Sequence, residues 1–151
     1  MNENNNHIDP EKIHLEYIEN VSVTMEEFEL ENQSNFSIAT KIAHISGHNI
    51  EENKYLLGLK VVFSTTNLSK NLESKFRYNF HFSIDNLNEM YKLNKEGNPV
   101  FKKLFVATLA GISYSTLRGI IFEKTSNTNW KTLILPVINP SLILDSWIEK
   151  E

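Results

Sequence analysis

The chain of 151 residues is 40% hydrophobic and 23% charged, the ordinary composition of one globular domain long enough to bury a core. It has no cysteine, which excludes disulfides, thiolate metal sites and thiol nucleophiles. The net charge of −4 is uneven: residues 1–31 hold nine acids against the single base Lys12, which argues against nucleic acid, a ligand that needs clustered Lys and Arg.

Residues 1–12 carry no periodic apolar signal and are expected to form a flexible acidic arm ahead of a single domain over residues 13–151. Met1–Glu11 is polar, unlike a signal peptide. No apolar run free of polar interruption approaches the ~20 residues that span a bilayer, so a cytoplasmic protein without direct membrane insertion is expected. Between Ile13 and Leu30, Val21 and Val23 alternate with Ser22 and Thr24, and Phe28 and Leu30 with Glu27, Glu29 and Glu31. This reads as a strand or two. The acids Glu26, Glu27, Glu29 and Glu31 form a solvated edge or a docking surface for a basic partner.

After the turn signal Asn32–Asn35, three clearer strands follow. Phe36, Ile38, Thr40 and Ile42 share one face of the first. Tyr55, Leu57, Leu59, Val61 and Phe63 line one face of the second. In the third, Phe76, Tyr78, Phe80, Phe82 and Ile84 alternate with Lys75, Arg77, Asn79, His81 and Ser83. Period two with one greasy face predicts an antiparallel sheet covered on one side, and the short connections predict a meander of hairpins. Residues 88–99 read as a loop or a partly helical link.

From near Val100 a helix of ~24 residues is expected, about 36 Å long. It is apolar on nearly all sides, and a helix with no solvated face must be covered from more than one direction. A second subunit is the obvious cover. Ala107, Ala110, Gly111 and Gly119 allow a neighbouring backbone to come close. Tyr114 and Arg118 share a face one turn apart. Arg118 is the only charge between Leu104 and Phe122, so it is expected at an interface or buried, paired or donating to carbonyls. Ser126–Asn129 end this helix. A short buried strand ended by Pro136 and Pro140 comes next, and a short amphipathic helix carrying Leu142, Ile143, Leu144, Trp147 and Ile148 closes the chain.

Enzyme signatures are poor. The chain has no glycine-rich phosphate loop, nucleophile elbow or HExxH helix. His44 and His48 would lie ~13 Å apart along one strand face, too far to share a metal. A non-enzyme that needs no cofactor is expected. Trp130 and Trp147 lie outside the regular sheet, as core residues or as walls of a groove for extended segments of other chains.

The second half of the chain resembles the SecB family of protein-export chaperones and its SecB-like relatives. The residues that carry the likeness are Ile112-Ser113-Tyr114-Ser115-Thr116-Leu117-Arg118, then Thr128, then Leu133-Ile134-Leu135-Pro136-Val137-Ile138-Asn139-Pro140. The resemblance covers roughly residues 20–150. It departs from the family in Pro136-Val137-Ile138-Asn139, where the family has Pro-Val-Asn, and in a longer Tyr-to-Arg spacing. It implies an α+β fold: a four-stranded antiparallel sheet with a long helix and a short C-terminal helix on one face. It also implies a homotetramer, a dimer of dimers with the long helices sandwiched between sheets.

The function implied is that of an ATP-independent holdase for unfolded or preprotein polypeptides. The alternatives are a SecB-like chaperone of a toxin–antitoxin system, or a structural scaffold without clients. The translocation ATPase SecA is a conditional partner, because the family's acidic docking positions align with Asn20 and Thr24. The expected client groove comprises Phe28, Leu30, Phe122, Trp130, Leu142, Ile143 and Trp147. The expected oligomer interface comprises Leu104, Ala107, Gly111, Tyr114 and Arg118.

Overall fold

The computed structural model describes residues 7–27, 37–66, 70–130 and 133–145. Of the expected acidic arm, Pro10–Lys12 form a 3-10 turn. Pro10 brings a preset φ, and the Asp9 carboxylate accepts from the Glu11 N–H at 3.0 Å. The turn leads directly into β1, Ile13–Met25. Then come β2 (Ser37–Asn49), β3 (Lys54–Thr66) and β4 (Glu73–Ile84). All four pair antiparallel in the spatial order β1-β4-β3-β2.

The expected four-stranded antiparallel sheet is present. Its last three strands run as the expected meander. β1 lies beside β4, on the edge opposite β2, which makes the order a Greek key. Alternation in the sequence reflects burial here. Tyr55, Leu57, Leu59, Val61 and Phe63 of β3 and Phe76, Tyr78, Phe80, Phe82 and Ile84 of β4 are all buried on one inner face.

The link after β4 differs from the expected loop. A 3-10 turn at Leu87–Glu89 leads into a small hairpin, β5 (Tyr91–Leu93) with β6 (Pro99–Phe101). Its turn is organised by the Asn94 side chain, which accepts from the Glu96 and Asn98 N–H groups, both at 2.9 Å. Gly97 supplies the positive φ of +82° that a residue with a side chain adopts only at a cost. Val100 therefore belongs to β6, and the helix expected to begin there begins at Lys103.

That helix, α1 (Lys103–Thr125), lies across the inner face of β3 and β4. Phe105 meets Tyr55 edge-on at 5.5 Å, and Leu109, Ala110, Leu117 and Ile121 are fully buried. Hydroxyls satisfy the carbonyls of its last turn. Thr125 Oγ1 donates to Ile121 at 2.7 Å, Ser126 Oγ to Glu123 and Thr128 Oγ1 to Thr125, both at 2.8 Å. The helix stops here because these side chains take over its hydrogen bonding.

Among the described residues, α1 alone is long and apolar enough by length and composition to cross a membrane. Interruption by polar residues, the reason given above for expecting no such segment, does not hold for it. Eight of its side chains are buried against the rest of the chain.

Residues 133–138 were expected to form a short buried strand. Residues 133–136 alternate as a strand would, with Leu133 and Leu135 buried and Ile134 and Pro136 exposed; Val137, exposed where the period would bury it, ends the pattern, and the segment joins no ladder. α2 follows as one turn, Ser141–Leu144. It packs against α1 and β2, so both helices lie on the same side of the sheet.

Candidate functional site

Two side chains of α1 fix the segment after it. Tyr114 Oη donates to the Pro136 carbonyl at 2.5 Å, and Arg118 Nε donates to the Leu135 carbonyl at 2.7 Å. These are the carbonyl contacts that the lone charge on an apolar helix required, and they replace the ladder bonds that residues 133–138 lack. Burial pushes the Tyr114 phenol up, partly offset by the Arg118 charge. The clamp holds the extended segment alongside α1 and leaves an open groove of about 340 Å³ between them, lined by Ser115, Arg118, Gly119, Phe122 and Ile134.

The walls of this groove are apolar and wet. Phe122 is 47% exposed and Ile134 54%; Val137 (82%) and Leu142 (59%) lie on the following stretch. Gly119 keeps the floor low, since a Cβ there would meet nothing within 4 Å. Arg118 places a cation on the groove wall. The arrangement suits an extended segment with large apolar side chains and free carbonyls. Among the described residues, no group of three His, Cys, Asp or Glu side chains could hold a metal.

The expected groove residues divide. Phe122 and Leu142 are exposed, but Trp130 is 3% exposed and Ile143 is buried. These two side chains are used up in the chain's own core and offer no surface to a client. Trp130 has a positioning task instead. Its indole Nε1 donates to the Glu26 carbonyl at 2.7 Å and ties the end of β1 to the end of α1. Phe28, Leu30 and Trp147 lie outside the described residues, as do Glu29 and Glu31 of the acidic docking set; Glu26 and Glu27 of that set are exposed.

The expected interface residues also divide. Leu104 is exposed and Ala107 half-buried. Tyr114 and Arg118 are committed to their own chain's carbonyls. Gly111 is approached by Pro140 rather than by a second backbone, and a Cβ there would lie 3.1 Å from the Pro140 ring. What sequence reasoning missed is Ile134 as a wall of the groove. An apolar run ended by prolines looks like a buried strand, whereas here Ile134 stands exposed.

No protein-family model matches the chain, and no curated protein matches it in sequence. Among solved structures it is similar to a SecB-like chaperone of Mycobacterium tuberculosis in complex with a ChAD peptide from the HigA1 antitoxin. The TM-score is 0.58 at 10% identity, over 85% of this chain and 91% of that one. A protein of unknown function from Streptococcus agalactiae gives a TM-score of 0.35 at 11% identity, over 83% of this chain and 97% of that one. The likeness to the mycobacterial protein establishes the fold, a SecB-like α+β arrangement of sheet, long helix and short C-terminal helix.

Proposed function

We propose that this protein is an ATP-independent holdase that binds non-native polypeptide in the groove between the C-terminal half of α1 and residues 133–138. The observation that carries the reading is that groove itself: Phe122 and Ile134 stand exposed across a low glycine floor, on a fold shared with a SecB-like chaperone. Binding by non-directional apolar contact suits clients of many sequences. A holdase competes with aggregation by mass action, so nucleotide and catalytic groups are unnecessary.

The antitoxin reading is favoured over export. The structural neighbour is described with an antitoxin peptide. Assembly belongs to the same proposal. Ahead of the groove, the outward stripe of α1 is Leu104, Ala107 and Thr108, without a charge. A second copy laid on that stripe supplies the cover that the chain's own core does not, in a homotetramer.

The experiment is light scattering of an aggregating client with and without the protein. Suppression at equimolar subunit is the expected result. Unaltered aggregation at that ratio contradicts the holdase reading and leaves a scaffold without clients.

A further inference from the structure

Arg118 uses only one of its donors within the chain. Its Nε donates to the Leu135 carbonyl at 2.7 Å, and among the described residues no acceptor takes the N–H groups of its two terminal nitrogens. No carboxylate pairs with it there either. A guanidinium presents its donors as a planar fork, and two parallel bonds to a carboxylate are the strongest contact it makes. Ser115 lies three residues back on the same face of α1 and is exposed. The hydroxyls of Thr108, Thr116 and Thr125 donate to carbonyls one turn back; among the described residues that of Ser115 does not. No acid lines the groove. The nearest along α1, Glu123, stands ~140° around the helix from Arg118.

The size of the groove limits what enters it. A volume of about 340 Å³ is near the lower end of ligand sites, ~300–1,000 Å³, so it takes one large side chain with its backbone and not a run of residues. Cation and apolar floor adjoin: Gly119 follows Arg118, and Phe122 stands ~6 Å further along the axis. The occupant must therefore bring a negative group and an apolar side chain to almost the same place. In an extended segment neighbouring side chains point to opposite faces, and those two apart are ~7 Å from each other. An acidic residue beside an apolar one cannot turn both into so small a groove. At a chain end, by contrast, the α-carboxylate and the side chain leave the same Cα. The net charge of −4 acts on every anionic ligand alike, so discrimination rests on contact with Arg118, well inside a Debye length.

We propose that the groove holds the free C-terminal carboxylate of a polypeptide that ends in a large apolar residue. The carboxylate meets the terminal nitrogens of Arg118 beside the Ser115 hydroxyl, and the last side chain lies over Gly119 between Phe122 and Ile134. The inference rests on the holdase reading for its site and adds which part of a client is held there.

The test is fluorescence anisotropy of the full chain with three labelled peptides that share one flexible polar sequence ending in phenylalanine. One ends in the free acid and one in the amide. The third is the amide with an aspartate before the phenylalanine, equal in net charge to the acid. The acid should bind ~10-fold more tightly than either amide. Arg118→Gln keeps a donor for the Leu135 carbonyl but no charge, and should bind the three alike. Ser115→Ala changes an exposed residue, so it should melt with the parent and bind the acid ~3-fold more weakly. Equal binding of acid and amide by the parent overturns the proposal, as does a preference kept in full by Arg118→Gln. An aspartate amide as tight as the free acid also overturns it and makes the groove a reader of charge alone. A permanently unfolded polypeptide with an amidated end, titrated alongside, keeps the two readings apart. Its binding, together with equal binding of acid and amide, removes only this inference; its failure to bind removes the holdase reading.

Discussion

Tyr114 and Arg118 are the residues on which the groove depends. Each donates one hydrogen bond to a carbonyl of residues 135–136, and these two bonds hold the far wall against α1. Arg118→Met keeps the stem and removes the donor, leaving the Leu135 carbonyl unpaired. Chemical denaturation should register a loss of ~1–3 kcal/mol, toward the lower end because the bond is only part-buried. Tyr114→Phe should lose less, on the order of 1 kcal/mol. No loss in either variant would mean that residues 133–138 are held by packing alone.

His44, on the inner face of β2, is a second residue with a measurable signature. Burial pushes its imidazole down, partly opposed by a hydrogen bond to the backbone of Ile143. A depressed folded-state pKa means that the unfolded chain takes up the proton first. The stability that neutral His44 contributes is complete above the unfolded value of ~6.5. It is lost as the pH falls through the folded value. Melting temperature should therefore decline as the pH drops below ~6.5, and His44→Gln should flatten the decline between there and the carboxylate range. An unchanged profile would remove His44 from the account.

Among the elements, α1 carries two glycines with opposite expectations. Gly111 faces Pro140 across a gap that a Cβ would close to 3.1 Å, so Gly111→Leu should overpack and cost ~1–3 kcal/mol. Gly119 opens on the groove, and Gly119→Ala should gain up to ~1 kcal/mol of helix propensity while shallowing the floor. Denaturation curves of the two variants should move in opposite directions; movement in the same direction would misplace one of the glycines. The contrast also marks what the sequence could tell. Phe76, Tyr78, Phe80, Phe82 and Ile84 alternate strictly, so the sheet and its inner face were legible from side-chain period alone. The small residues of α1 announced a close approach, but Pro140 is the neighbour at Gly111, and a neighbour distant in sequence leaves no periodic trace. Val100 looked like the first turn of a continuous apolar helix because three-residue strands are too short to show a period. Trp130 could have been core or groove by composition. Only the position of the Glu26 carbonyl decides for the core.

At the scale of the whole molecule, one sheet presents two unlike surfaces. Its inner side is covered by α1 and α2, with the apolar groove beside them, and its outer side carries charges of both signs, among them Lys75 with Glu73 and His81 with Glu19. The outward stripe of α1 predicts assembly. Light scattering at micromolar concentration should give four chains per particle, and a single-chain mass would contradict the proposed cover of that stripe. The central claim is that the groove of Ser115, Arg118, Gly119, Phe122 and Ile134 holds non-native polypeptide. Its most direct measurement is a titration of a permanently unfolded, fluorescently labelled polypeptide with the parent protein and with Phe122→Asp. Phe122 is nearly half exposed, so the substitution should leave the melting temperature close to that of the parent. The account predicts saturable binding by the parent and at least ~10-fold weaker binding by Phe122→Asp. Equal affinity in the two proteins, with melting temperatures unchanged, would contradict it.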